Sequence, residues 1–519
     1  MPDSLTVAPE PEFDTEPAAP PGTGEHPARR WWALVIIALA QLMVVLDASI
    51  VTIALPFAQT DLHIADANKQ WALTAYTLIF GGLLLLGGRL ADYLGRRNVF
   101  LVGLVGFAAA SALGGAAQNG AMFFAGRALQ GAFAALLAPS ALSLITVTFT
   151  EQKDRAKAFG VYAAVSGGGA AIGLIAGGVL TEYLSWRWCL LVNTPIAIAA
   201  VVGALAFVIK DRPSPRTGGY DLPGAVTATL GLISLVYGFT RAAEVGWGAG
   251  STIALFVISV VLLAAFVSIE RRSPNALLPL HIPGERNRGG AYLIALLMPI
   301  AMFAMFLFLS YYFQNTLRFS PLRAGVAFLP FPAGIIVSAG IASALLPRFG
   351  PRAPMIFGAV CGAVGLVYLA QLDINSTWLG SVLPSELLIA VGMGQVFVAM
   401  QSVALHNIEE KDSGVASALL NTAQQVGGSV GLALLSTIVS QAFSRHPGSA
   451  VVGMDPATHL PIPANIEAFK SAAIHSYDVA FYWGAGFFLL ALVVILVTIR
   501  MQADDLRTQP LSEVAVPVA

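Results

Sequence analysis

Fourteen stretches of about twenty apolar residues recur along this chain, at roughly 31–56, 70–90, 98–117, 121–147, 156–182, 188–209, 221–241, 250–269, 290–314, 323–346, 353–371, 379–405, 412–440 and 479–500. A helix rising 1.5 Å per residue needs about twenty residues to cross ~30 Å of hydrocarbon, so each stretch has the length of one membrane crossing. A β-barrel would instead show alternating segments of about ten residues. The runs do not alternate, and the fold class that follows is an all-α polytopic membrane protein with about 14 transmembrane helices. A chain that is 56% hydrophobic and 11% charged has too little charge for an ordinary soluble surface.

Twenty of the 28 Lys and Arg residues lie in the termini and the loops sharing their side, and seven in the opposite loops, with Arg127 inside the fourth run. Positive charge is retained on the cytoplasmic side. Both termini are therefore expected in the cytoplasm, with the chain multi-pass in the cell (cytoplasmic) membrane. The net charge of −1 carries no information about partners, and nothing suggests nucleic acid. Residues 1–30, with six acids among Pro and Ala, are expected to form a disordered cytoplasmic tail. Residues 501–519 make a second tail. The basic start and short apolar region of a cleavable signal peptide do not precede Trp31. Cys189 and Cys361 fall in separate runs, which excludes a disulfide framework.

The first run closes with Leu46-Asp47-Ala48-Ser49-Ile50-Val51-Thr52-Ile53-Ala54-Leu55-Pro56. A charge at membrane depth costs at least ~2.5–3.5 kcal/mol, so such residues face a bundle interior and mark proton relays or substrate paths. Asp47 lies roughly 12 Å from the end of its run, and Arg127 roughly 9 Å in from the same side. Comparable depth permits a pair. Two readings fit it. In one, Asp47 binds a proton when released from Arg127, which couples protonation to conformational state. In the other, the two form a fixed salt bridge between helices.

Glu386, about seven residues inside the twelfth run, is a further proton-coupling candidate or a docking point for a cationic substrate. A boundary displaced by one turn would leave it in water. Gln130, Asn193, Asn421, Gln424 and Gln425 have side chains suited to bonding a substrate in a cavity, and equally suited to bonding a neighbouring helix. Phe306 belongs to an aromatic and Met-rich ninth run, with Phe303, Phe308, Tyr311, Tyr312, Phe313, Met298, Met302 and Met305. Such soft side chains suit bulky apolar cations, or simply core packing.

Gly95-Arg96-Arg97 through Gly103 has an echo 255 residues later in Gly350-Pro351-Arg352 through Gly358. Gly169-Ala170-Ala171-Ile172-Gly173 has one 258 residues later in Gly427-Gly428-Ser429-Val430-Gly431. Internal repeats are common in transporter folds, although generic packing glycines also produce such matches. The echoes imply two six-helix halves, 31–209 and 290–500, separated by an inserted two-helix linker at 210–289. The segment 441–478, with four prolines, reads as an extracellular loop.

Gly87-Gly88-Arg89-Leu90-Ala91-Asp92-Tyr93-Leu94-Gly95-Arg96-Arg97 resembles the cytoplasmic loop signature of the major facilitator superfamily. Gly126-Arg127-Ala128-Leu129-Gln130-Gly131 resembles its basic motif, and the Asp47 stretch resembles the first-span signature of its fourteen-span drug:proton antiporter branch. Trp186-Arg187-Trp188 with Asn193-Thr194-Pro195, Ser320-Pro321-Leu322-Arg323-Ala324-Gly325, and Asn421-Thr422-Ala423-Gln424-Gln425-Val426-Gly427-Gly428 are similar to that branch as well. The resemblance covers about 31–500. It implies the major facilitator fold and export of small amphipathic molecules by proton antiport and alternating access. It also implies protons and membrane lipids as partners, no cofactor and a monomeric chain. Gly88, Arg89, Asp92, Gly95, Arg96 and Arg97 would then form a conformational latch, where the alternative is topology alone. Gly173, Gly177 and Gly178 match the helix-packing face of the fifth-span antiporter motif, but Leu174 replaces its proline, removing the expected kink. Gln424 stands where an arginine is common.

No Gly-x-x-x-x-Gly-Lys-Ser/Thr sequence is present, and the seven histidines supply no ligand pair at helical spacing. Neither direct ATP coupling, a metal site nor an enzyme is expected. Three classes remain: a proton-coupled exporter of amphipathic drugs or toxic metabolites, an exporter of lipid or lipid-like molecules, and a polytopic sensor or scaffold. The missing proline and the sparse charge of the second half favour the lipid alternative.

Overall fold

The computed structural model describes residues 27–65, 68–149, 151–209, 221–273, 276–408, 413–454, 461–503 and 505. The first half comprises α1 (Pro27–Asp61), α2 (Trp71–Leu94), α3 (Arg96–Gly115), α4 (Gly120–Thr148), α5 (Gln152–Tyr183), the single turn α6 (Trp188–Leu191) and α7 (Asn193–Phe207). The inserted pair is α8 (Leu222–Val245) and α9 (Gly250–Arg272). The second half comprises α10 (His281–Gly284), α11 (Arg286–Tyr311), α12 (Pro321–Ala327), α13 (Pro330–Phe349), α14 (Arg352–Leu369), α15 (Leu383–Ala404), α16 (Ser413–Arg445) and α17 (Ile466–Thr498). Fourteen helical passages result, with α6 and α7 sharing one and α12 and α13 another. Among the described residues, twelve passages are long and apolar enough to cross a bilayer. The other two, α2 and α5, run 24 and 32 residues over the expected stretches 70–90 and 156–182.

Two boundaries differ from expectation for one physical reason. Helix α16 continues to Arg445 and α17 begins at Ile466, so the segment 441–478 is largely helical at both ends. Asn465 starts α17 by accepting the backbone N–H groups of Glu467 and Ala468 at 2.9 and 3.1 Å. Between the helices, strands β1 (Val451–Met454) and β2 (Pro461–Pro463) pair antiparallel, Val451 opposite Pro463. Likewise α1 begins at Pro27, inside the stretch expected as a tail. Helix ends that project beyond hydrocarbon are polar, so hydropathy does not register them. Residues 1–26 and 506–519, the body of both expected tails, and 210–220 of the linker lie outside the described residues.

The halves join on the side away from the termini. Helix α1 runs through Pro56, which has no N–H and so leaves the carbonyl of Thr52 without its helical donor. Ser310 of α11 donates to that carbonyl at 3.0 Å, and Gln314 donates to the carbonyl of Ile53 at 3.2 Å. The Tyr311 hydroxyl donates to Gln59, and the Lys69 ammonium lies 4.1 Å from the Tyr311 ring centre. Beside them α5 closes on α12: a Cβ on Gly178 would lie 2.6 Å from the Leu322 Cα, and Glu182 accepts the Leu322 N–H at 3.0 Å. Helix α2 meets α16, with the hydroxyls of Thr77 and Ser429 2.6 Å apart. The inserted pair flanks this last seam. Thr229 of α8 donates to the Gly82 carbonyl at 3.3 Å, and Thr437 of α16 donates to the carbonyl of Phe239 in α8 at 2.8 Å.

Candidate functional site

Close helix approach puts Arg127 among four helices. Asn119 starts α4 by accepting the Met122 N–H at 2.9 Å. A Cβ on Gly126 would lie 2.8 Å from the Gly114 Cα of α3, and one on Gly131 would lie 2.3 Å from the Tyr76 carbonyl oxygen of α2. Only glycine permits backbones this near. Helix α1 is brought in the same way by α5, where Cβ atoms on Gly173 and Gly177 would lie 2.9 and 2.8 Å from the carbonyl oxygens of Leu46 and Ile50. Helix α5 carries no proline and runs unbroken past Leu174.

Asp47 and Arg127 are both fully buried, and Arg127 Nη1 donates to Asp47 Oδ2 at 2.5 Å. Gln130 Nε2 and Asn193 Nδ2 donate to the other oxygen, Oδ1, at 2.8 and 2.7 Å. Arg127 Nη1 also donates to Gln130 Oε1 at 2.8 Å, and Nε to the Ala72 carbonyl at 2.8 Å. The guanidinium carbon stands 4.6 Å from the centre of the Tyr76 ring. Taking two charges out of water costs several kcal/mol per ion, and their attraction repays this only when the remaining hydrogen-bonding capacity is met. Among the described residues Asp47 accepts from Arg127, Gln130 and Asn193, while Arg127 Nη2 has no hydrogen-bond acceptor. Gln130 and Asn193, suited equally to bonding a substrate or a neighbouring helix, are fully buried and bond Asp47 of α1.

Two members of the site carried no sequence signal. Ser111 of α3 lies 2.7 Å from Gln130 Nε2, and Tyr76 lies under Arg127. A lone serine or tyrosine in an apolar run is unremarkable until the helices are assembled.

The same framework recurs in the second half without an Asp–Arg pair. Gly431 of α16 meets α11 at Ile300 as Gly173 of α5 meets α1 at Leu46, so Ala301 occupies the place of Asp47. Gly394 of α15 meets the Ile335 carbonyl as Gly131 of α4 meets that of Tyr76. That contact sets Ala390 against Arg127, whereas Gly103 and its echo Gly358, packed on the carbonyls of Phe133 and Gly392, set Glu386 there, so the counterpart of Arg127 lies within the turn 386–390. Arg97 donates to the Leu205 carbonyl at 2.7 Å and Arg352 to that of Leu496 at 3.1 Å, each closing the last helix of its half. Twelve residues before these carbonyls lie Asn193 and Gly484, and a Cβ on Gly484 would lie 3.2 Å from the Ala301 Cβ. The counterpart of Asp47 is thus apolar, and a buried carboxyl, that of Glu386, lies in the turn corresponding to Arg127.

Glu386 is buried one turn before Ala390, and neither carboxyl oxygen has a hydrogen-bond partner among the described residues. It is therefore not at a water-exposed helix end. Of the latch residues, Gly95 turns the chain at φ +89° and Arg97 ties α3 to α7 inside its own half. Arg96 is half-buried and a Cβ on Gly88 would lie 3.6 Å from the Pro139 Cβ, while the side chains of Arg89 and Asp92 lie outside the described residues. Phe306 is half-buried against Phe328 and Phe331, at ring separations of 5.2 and 5.1 Å. The neighbouring Phe308, Tyr311, Tyr312 and Phe313 are core. Asn421 is exposed and bonds its own helix at Ser417, Gln424 is half-buried, and Gln425 lies against Gly81 at the seam.

Residues 37–432 match the family described as Major Facilitator Superfamily. The chain is 46% identical over 482 residues to a puromycin resistance protein of Streptomyces alboniger, covering 92% of this chain and 93% of that one. It is 38% identical to a cephamycin export protein of Amycolatopsis lactamdurans, over 81% and 89% of the two chains. A lincomycin resistance protein of Streptomyces lincolnensis is 35% identical, over 81% and 86%. Among solved structures, a bacterial homologue of the human lysosomal transporter Spinster, inward-facing and occupied, superimposes with a TM-score of 0.66 at 15% identity, over 93% of this chain and 99% of that one.

Proposed function

The chain belongs to the major facilitator superfamily, and from that premise we propose that it exports an amphipathic, antibiotic-like small molecule by proton antiport and alternating access. It is a multi-pass membrane transporter and not an enzyme. The observation that carries the antiport reading is the fully buried Asp47–Arg127 pair, the ionic centre of the first half. A carboxylate that a proton can neutralise, set against a permanently charged guanidinium, makes helix contacts depend on proton occupancy.

In the proposed cycle a proton arriving at Asp47 releases the contact to Arg127, which loosens α1 from α4. Helix α1 also carries the Thr52 and Ile53 carbonyls that hold α11 on the closed side. A proton taken up from the side opposite the termini thereby weakens the seam, substrate leaves on that side, taken as extracellular from the distribution of Lys and Arg, and Asp47 gives the proton up on the side of the termini as its contact to Arg127 re-forms. Glu386 is proposed as a second proton-binding group, and Phe306, Asn421, Gln424 and Gln425 as contacts along the substrate path. The chain is proposed to work as a monomer. Relatives named for puromycin resistance and cephamycin export support an antibiotic-like substrate.

The test is expression in a puromycin-susceptible bacterium, with drug accumulation followed before and after a protonophore. Lower accumulation that the protonophore reverses is the expected result. Unchanged accumulation of puromycin and of other amphipathic antibiotics, with the protein in the membrane, would remove the reading and favour a lipid substrate.

A further inference from the structure

We propose that Tyr76 is a positioning residue for Arg127, holding the guanidinium against its ring so that the cation stays in place when Asp47 becomes neutral. This rests on the antiport reading above and adds to it the question of what becomes of the arginine. Once Asp47 carries a proton, Arg127 remains charged in a site without exposed surface, and Arg cannot release its own proton. Its remaining contacts must then carry the charge.

Helix α2 supplies two of them. Ala72 and Tyr76 are one helical turn apart and face Arg127 together: the Ala72 carbonyl accepts from Nε at 2.8 Å, and the Tyr76 ring centre lies 4.6 Å from the guanidinium carbon. Nη2 has no hydrogen-bond acceptor among the described residues, so the ring face is the compensation that α2 adds beyond the carbonyl. The Tyr76 hydroxyl also has no partner among the described residues, which places the use of this side chain in its ring. The ring is 1% exposed and braced by Phe80, 5.7 Å centre to centre, while the close approach of Gly131 to the Tyr76 carbonyl fixes α2 against α4. The charged and titratable groups facing the site are Asp47, Arg127 and Tyr76 itself, with Cys189 of α6 close to Asp47.

The experiment measures gradient-driven efflux of radiolabelled puromycin from proteoliposomes of the full chain as a function of pH on the side opposite the termini, for the native protein, Tyr76→Phe and Tyr76→Leu. Removing the ring face makes the proton-loaded state harder to reach, so Tyr76→Leu is expected to move the half-maximal pH downward by about one unit, a tenfold rise in the proton concentration required. Tyr76→Phe keeps the ring and should retain the native profile. A Tyr76→Leu protein that is merely less stable would lose amplitude with an unmoved midpoint, and that result overturns the assignment. So does a Tyr76→Phe profile displaced as far as that of Tyr76→Leu, which would put the role in the hydroxyl. If Tyr76→Leu does not fold, Tyr76→Phe decides alone by whether its midpoint moves. Native efflux independent of pH would overturn the antiport reading together with this one, whereas a native pH profile unmoved by Tyr76→Leu overturns this one only.

Discussion

Arg127 of α4 and Asp47 of α1 meet at 2.5 Å with no exposed surface on either side chain. Removing one partner of a buried pair leaves an uncompensated charge, so Asp47→Asn and Arg127→Gln are each expected to lower stability by about 3–5 kcal/mol. The double variant should lose much less than the sum, because residues in direct contact are not additive. Thermal unfolding of the solubilised protein measures this. Additive losses would show that the pair contributes nothing as a pair.

Gln130 and Asn193 each give Asp47 one N–H. A hydrogen bond to a charged group is worth about 1.5–3 kcal/mol, so Gln130→Leu or Asn193→Leu should slow gradient-driven efflux roughly tenfold or more. Wild-type rates in both variants, at equal amounts of protein, would contradict the role given to these amides.

Ser310 supplies the donor that Pro56 denies to the Thr52 carbonyl. Ser310→Ala leaves that carbonyl unsatisfied at a cost of about 1–3 kcal/mol, which shifts the population toward the form open on that side by roughly tenfold. With Cys189 and Cys361 replaced, labelling of Ile53→Cys by a membrane-impermeant thiol reagent should quicken to match. An unchanged rate would show that the seam does not depend on this contact.

Glu285 starts α11 by accepting the N–H groups of Asn287 and Arg288 at 3.0 and 2.8 Å. Burial raises its carboxyl, but these bonds, the Asn287 side chain and the Arg288 guanidinium outweigh burial and hold it below the ordinary value. A carboxyl lowered in the folded state adds stability above its unfolded value of about 4.3 and loses it as pH falls through the lowered one. Glu285→Gln should therefore flatten the fall of Tm as pH drops below about 4.3. Equal slopes for the two proteins would exclude the contribution.

The fourteen passages were legible because hydropathy reports length and apolarity directly, and it failed where α1, α16 and α17 project as polar helix. Asp47 and Arg127 were legible because a charge in an apolar run has few uses. The amides were half-legible: Gln130 and Asn193 stood out as polar, but whether they faced substrate or a carboxylate depends on helix rotation, which no single run encodes. Tyr76 and Ser111 were not legible, since their importance comes from what lies opposite. The glycine echoes pointed to a repeat, yet that Ala301 stands in for Asp47 emerges only when each glycine is seen against its partner helix.

The most direct test of the central claim is efflux from proteoliposomes under an imposed pH gradient, native protein against Asp47→Asn at equal incorporation, with puromycin as the transported probe. Efflux that follows the gradient in the native protein and is lost in Asp47→Asn, with drug binding retained, is the predicted result. Gradient-driven efflux by Asp47→Asn at the native rate would contradict the assignment of Asp47 as the coupling site.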